Sequence, residues 1–245
     1  MRPIAAMIAR ELAAYARSPL VFVFIAVFVA AAGALALEIG GLIDLGVADL
    51  ATLFAFLPWL FLVLMPALAM RQWADEIASG AIEATLALPL PLWMLVAGKF
   101  LAAWAVAGIG LCLTMPLWAA ISLLGAPDHG QIAAGYVTAI LVAGAYLAIG
   151  VAASALSGSA VTAFVAAVAI GFVFTAAALP VALDAARAAF GPAASDAVAA
   201  FSLLEAMDAG ARGVIEGPRL VFLFGLMGLF LILATVWLDA RRGGR

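Results

Sequence analysis

The chain has 245 residues, of which 69 % are hydrophobic and 10 % charged, with a mean hydropathy of +1.27; soluble domains run at about 45–50 % and about 25 %. So few polar groups cannot cover a water-soluble fold of this size, and the solvent for most of the chain must be lipid. A net charge of −3 and a pI near 5.0 leave no basic footprint for nucleic acid, and a single cysteine, Cys112, excludes an internal disulfide.

A membrane-spanning helix needs about 20 mostly apolar residues. Before the first such stretch, residues 1–17 place Ile4, Ile8, Leu12 and Tyr15 on one helical face and Arg10 and Arg17 on another. That pattern predicts an amphipathic helix at the inner interface, bending at Pro19 into the first span. It reads as retained, because the apolar region of a signal peptide is shorter, about 7–15 residues. Spans are then predicted at about 18–37, 50–70, 96–124, 132–156, 160–183 and 219–238. Pro58 and Pro66 are expected to kink the second. The stretch 129–183 has no Asp, Glu, Lys or Arg. As one helix it would extend about 80 Å against a hydrocarbon core of about 30 Å, so it must cross twice, turning at Ser157-Gly158-Ser159. The fold class is therefore all-α, integral to the membrane, with six transmembrane helices.

Orientation follows the basic residues. Arg2, Arg10 and Arg17 precede the first span, Arg71 and Lys99 flank the connection from the second to the third, and Arg241, Arg242 and Arg245 end the chain. The connection 38–49 has Glu38, Asp44 and Asp49 and no basic residue, and 125–131 has Asp128 and His129. The segment 184–218 and its boundary mix acids with Arg187, Arg212 and Arg219. Both termini are expected in the cytoplasm, in a multi-pass protein of the bacterial inner membrane.

The spans have no ionisable residue away from their ends, so an ion-driven mechanism has no evident proton or sodium carrier. Lys99 is expected to snorkel to the inner interface. Ser154, Ser157 and Ser159 have no base nearby, and Cys112, His129 and the methionines form no metal-ligand spacing. Neither Leu156-Ser157-Gly158-Ser159 nor Gly98-Lys99 has the context of a nucleotide-binding loop, so no ATP site is expected in this chain. Gly108, Gly110, Gly144, Gly150, Ser154 and Gly171 read as close-packing positions between helices.

The connection 71–91 carries more information. Trp73 and Ile77 are four apart, and Asp75, Ser79 and Glu83 would align on a continuous helix, with Glu76 beside them. Gly80 is expected to break that helix, Ser79 to N-cap a second short one, and Pro89 and Pro91 to end it and return the chain to the membrane. The expected product is a partly acidic helical elbow; an ordinary surface loop is the plainer reading of the same residues.

These residues also carry a resemblance. The run Met70-Arg71, Asp75-Glu76, Ser79-Gly80, Ile82-Glu83, followed by Leu88-Pro89-Leu90-Pro91-Leu92-Trp93 and Gly98-Lys99-Phe100, resembles the ABC-2 type permeases of ABC transporters. It is closest to the branch with the gliding-motility permease and the permease of nitrous-oxide-reductase maturation. Phe201-Ser202, Arg212-Gly213-Val214-Ile215 and the run into the sixth span match that branch's last outer segment, and Ser18-Pro19-Leu20 fits its first span. The resemblance covers nearly the whole chain. It implies a single transmembrane domain, residues 1–245, pairing with a second permease, the same chain or a related one. It also implies a separate ABC ATPase subunit that binds ATP and Mg and receives the elbow in a groove, contacted through Trp73, Asp75, Glu76, Ser79, Gly80, Ile82 and Glu83. Trp73 or Ile82 would supply an apolar anchor for that partner, and the outer segment 184–218 would cap the route, although surface-lying helices explain its composition equally well. Export is the direction implied, with no enzymatic activity and no cofactor in this chain. Two other readings stay open: an ATP-independent channel or facilitator, and a structural tether in a membrane complex.

Overall fold

The computed structural model describes residues 2–39 and 49–243, and every regular element among them is helical. Asp44 of the first connection and Arg245 of the tail lie outside the described residues. Helix α1 (Arg2–Ala16) ends two residues before α2 (Pro19–Ala34), where Ser18 is extended and Pro19 opens the new helix. Proline suits that place, since its missing N–H would have no partner there anyway. A π-helical turn, Leu35–Ile39, continues α2. Helix α3 (Ala51–Ala69) contains Pro58 and Pro66 without being ended by either.

The elbow then forms two short helices, α4 (Ala74–Ser79) and α5 (Ile82–Leu86). Helix α6 (Leu92–Cys112) starts after Pro91 and passes through a brief break at Leu113–Thr114 into α7 (Met115–Leu124). The third apolar stretch thus begins four residues earlier than 96, because Pro91 sets the N-terminus. Helix α8 (His129–Leu156) and helix α9 (Ala160–Ala176) meet at the expected Ser157–Ser159 turn. The fifth span departs from the expected 160–183. Helix α9 stops at Ala176, and α10 (Pro180–Phe190) leaves it at 69°. Pro180 explains this, since it forces Leu179 into the extended region, ψ 142°, and offers no N–H to continue the helix. The segment continues as α11 (Pro192–Ala200) and α12 (Leu203–Ala211), broken at Gly191, before α13 (Gly217–Gly243). Among the described residues, five helical stretches are long and apolar enough to cross a membrane, or six with the bent pair α9–α10 counted as one.

Helix α8 is the axis of the bundle, packed by α3, α6, α9, α12 and α13. In lipid, apolar burial does not favour helix–helix over helix–lipid contact, so close approach and interhelical hydrogen bonds hold the helices together. Both occur. A Cβ at Gly150 would stand 2.7 Å from Ala69 Cβ, so only glycine lets α8 lie against the end of α3. Trp104 Nε1 donates to the Ile140 carbonyl at 2.7 Å, and the Tyr146 and Thr175 hydroxyls join α8 to α9 at 2.5 Å. Gly108, Gly110, Gly144 and Gly171 likewise face side chains of neighbouring helices in the same chain. The outward faces of α9 and α13 expose Val161, Val165, Val173, Val221, Ile232 and Val236, a surface suited to acyl chains.

Two faces result. At one, α1, the elbow and the α8–α9 turn come together, with Ile77 beside Gly158 and Leu233 of α13 in one groove with Leu156 and Ser157. At the other lie Asp128 and helices α10–α12. Helix α12 is inserted, with Gly210 against Thr138 of α8 and Leu203 and Met207 fully buried, whereas α10 buries no residue. The segment 184–218 is therefore two structures, one surface-lying and one packed.

Candidate functional site

The elbow is built by residues with local reasons to be there. Gly80, at φ 76°, sits in the left-handed region that ends α4, a conformation that costs a side-chain-bearing residue about 1–2 kcal/mol. Ser79 does not N-cap α5, as the sequence suggested. It is the last residue of α4, and its hydroxyl donates back to the Asp75 carbonyl at 2.7 Å. The left-handed Gly80 intervenes, so Ala81 takes the N-cap position of α5 without a side-chain bond.

The inward side of the elbow is fastened to three other elements. From α8, the buried Ser154 hydroxyl accepts from the Trp73 and Ala74 amides at 3.0 and 3.1 Å and donates to the Met70 carbonyl at 2.8 Å. One side chain thereby satisfies two orphan donors at the start of α4 and a carbonyl at the end of α3. From α6, Lys99 Nζ reaches Glu76 Oε1 at 2.7 Å and lies 5.0 Å from the centre of the Trp73 ring. From α1, Glu11 Oε2 comes within 3.7 Å of the same ammonium, and Tyr15 accepts from Gln72 Nε2 at 2.8 Å. Burial pushes the Tyr15 phenol up to about 12, against the opposing hydrogen bond from Gln72 and with the help of the Glu11 charge, so it stays neutral.

Lys99, expected at the inner interface, is buried against α1 and the elbow. Its side chain is only 5 % exposed, because α1 folds over the start of α6, with Met7 seated on Gly98. A buried ammonium demands carboxylate partners, and the fold supplies two from different elements. Three buried polar atoms around this knot have no hydrogen-bond partner among the described residues: Gln72 Oε1, Trp73 Nε1 and Glu76 Oε2.

The outward side presents Ala78, Ser79, Gly80, Ala81, Glu83 and Ala84, all exposed, with Asp75 at their edge held by Arg71 Nε at 2.6 Å. The sequence-derived set thus divides. Asp75, Ser79, Gly80 and Glu83 form the projecting surface. Trp73 is fully buried and Ile82 nearly so, and neither has the surface expected of an apolar anchor for a partner; both anchor the elbow to its own chain. Glu76 is directed at Lys99. Glu11, Tyr15, Gln72 and Ser154 were missed by the sequence reading. The one available signal was Lys99 itself, since a cation inside an apolar helix calls for a named partner. The sequence matches no protein-family model and no curated protein.

Proposed function

We propose that the chain is the permease subunit of an ATP-binding-cassette exporter, pairing with a second permease copy or relative and driven by a separate ATPase. The observation that carries this reading is the two-sided elbow. A projecting helix–glycine–helix with Asp75 and Glu83 on its exposed side is tied on its inner side to α1, α6 and α8 by Ser154, Lys99 and Tyr15. A push on such an element moves three helices together, which a solvated loop would not do. In this reading the basic residues on α1, Arg71 and the tail put the elbow and both termini in the cytoplasm. The chain crosses six times. Helix α9 alone extends about 25 Å, and residues 177–179 before the bend carry the fifth crossing to the edge of the core of about 30 Å.

The test is affinity purification from native membranes in mild detergent with identification of stoichiometric partners. An ATPase with a phosphate-cradling loop is the expected companion. Asp75→Lys with Glu83→Lys should abolish its retention while leaving the membrane protein assembled. Failure to recover any such ATPase, even after crosslinking from Ala81→Cys, would sink the reading in favour of a channel or tether; recovery unaffected by the charge reversals would remove the elbow as the contact.

A further inference from the structure

The third apolar stretch is jointed. Pro116, in the first turn of α7, offers no amide to the Cys112 carbonyl four residues back, so the helix breaks at Leu113–Thr114. Among the described elements none packs extensively along α7, and its hold on the bundle rests on side chains. Ile121 is fully buried, whereas Leu113, Met115 and Leu123 are exposed.

Two hydrogen bonds and a ring stack tie this jointed piece to α8. Thr114 gives its hydroxyl proton to the Leu111 carbonyl at 2.7 Å, which leaves Tyr136 to donate to Thr114 at 3.1 Å. The Trp118 ring stacks on Tyr136, with centroids 5.9 Å apart and planes at 14°. Beside that stack, Trp118 Nε1 donates at 3.0 Å to Nδ1 of His129, the single histidine of the chain.

That last bond depends on protonation. An indole N–H only donates, so Nδ1 must present a lone pair and the imidazole keeps its proton on Nε2. A second proton occupies the lone pair and sets N–H against N–H. Histidine is the side chain type whose charge changes between pH 5 and 8. The added charge also falls in the first turn of α8, where the helix dipole disfavours a cation. The charged groups on the surrounding elements have partners of their own. Asp128 turns Oδ1 to the Gly130 and Gln131 amides, and Asp49 of the α3 entry accepts from the Ala51 amide. At the end of α12 and the start of α13, Arg212 pairs with Asp208, and Arg219 with Glu205 and Glu216.

We propose that Trp118 and His129 form a pH-sensitive latch, closed with a neutral imidazole and opened by its protonation, which frees α7 to swing about Leu113–Thr114. The inference depends neither on an ATPase partner nor on which side of the membrane this face meets.

The experiment is a spin-label distance measurement on the full chain in mild detergent at pH 8 and pH 5. With Cys112 replaced by Ser, the labels sit at Leu123→Cys on α7 and Val221→Cys on α13, both exposed positions. Acidification should raise the population at a shifted distance about two- to tenfold, the scale of one net hydrogen bond. Trp118→Phe keeps a ring on Tyr136 without the donor, and should show the shifted distance already at pH 8. His129→Asn places an uncharged oxygen near the position of Nδ1 and should hold the closed distance at both pH values. An unaltered distance between pH 8 and pH 5 with His129 and Trp118 in place would overturn the latch. So would a pH response that persists in His129→Asn, or a closed distance at both pH values in Trp118→Phe.

Discussion

Lys99 and Ser154 are single residues whose meaning depends on what they touch. Removing one partner of a buried ion pair leaves the other charge without compensation and costs about 3–5 kcal/mol, whereas replacing both by apolar groups costs far less. Lys99→Met should therefore lower the unfolding midpoint in detergent by more than the double variant Lys99→Met with Glu76→Leu, and the reverse order would show that the knot does not hold the elbow. Ser154→Ala changes almost no volume but leaves the Trp73 and Ala74 amides unsatisfied, each at a cost of about 1–3 kcal/mol. Hydrogen exchange at those two amides should quicken selectively. Neither role was legible beforehand. Nothing local to Lys99 reveals that α1 covers it, and the three partners of Ser154 are some eighty positions away.

At the scale of elements, short-range chemistry accounts for most boundaries. Pro19, Pro91 and Pro180 open helices, Gly80 and Gly191 end them, and Ser157-Gly158-Ser159 turns the chain between α8 and α9. Gly80 has nothing within 4 Å of where a Cβ would stand, so Gly80→Ala meets a conformational penalty alone, about 1–2 kcal/mol. The expected result is a small loss of stability with an α4–α5 angle shifted enough to be read by spin-label distances between Ala78→Cys and Ala84→Cys; an unchanged distance would mean that the left-handed residue does not set the elbow's shape. The misplaced end of the fifth span has the same local origin. Hydropathy carries straight through 177–183, while Pro180 removes the hydrogen bond that continuation needs.

For the whole molecule, the two faces differ in what they present. The elbow face gathers Arg10, Arg17, Arg71 and Lys99 with Glu11, Asp75 and Glu76, and the opposite face holds Asp128 and the surface-lying helices α10, with Arg187, and α11. With Cys112 replaced by Ser, Ala193→Cys should react with a membrane-impermeant thiol reagent in intact cells, and Ala81→Cys only after the membrane is opened. Labelling of both from outside would invalidate the orientation drawn from the basic residues.

Composition and hydropathy alone determined that this chain is helical and lives in lipid, because a bilayer leaves a backbone few ways to satisfy its hydrogen bonds. Glycine and proline placed the elbow and the turns, because their effects act within a few residues. The tertiary structure decided which side of the elbow faces inward, that Trp73, Glu76 and Ile82 belong to that side, and that Glu11, Tyr15, Gln72 and Ser154 complete it. Those facts depend on α1 and α8 arriving at the same place from distant parts of the sequence. The charge on Lys99 is tolerated there only because both carboxylates arrive with it.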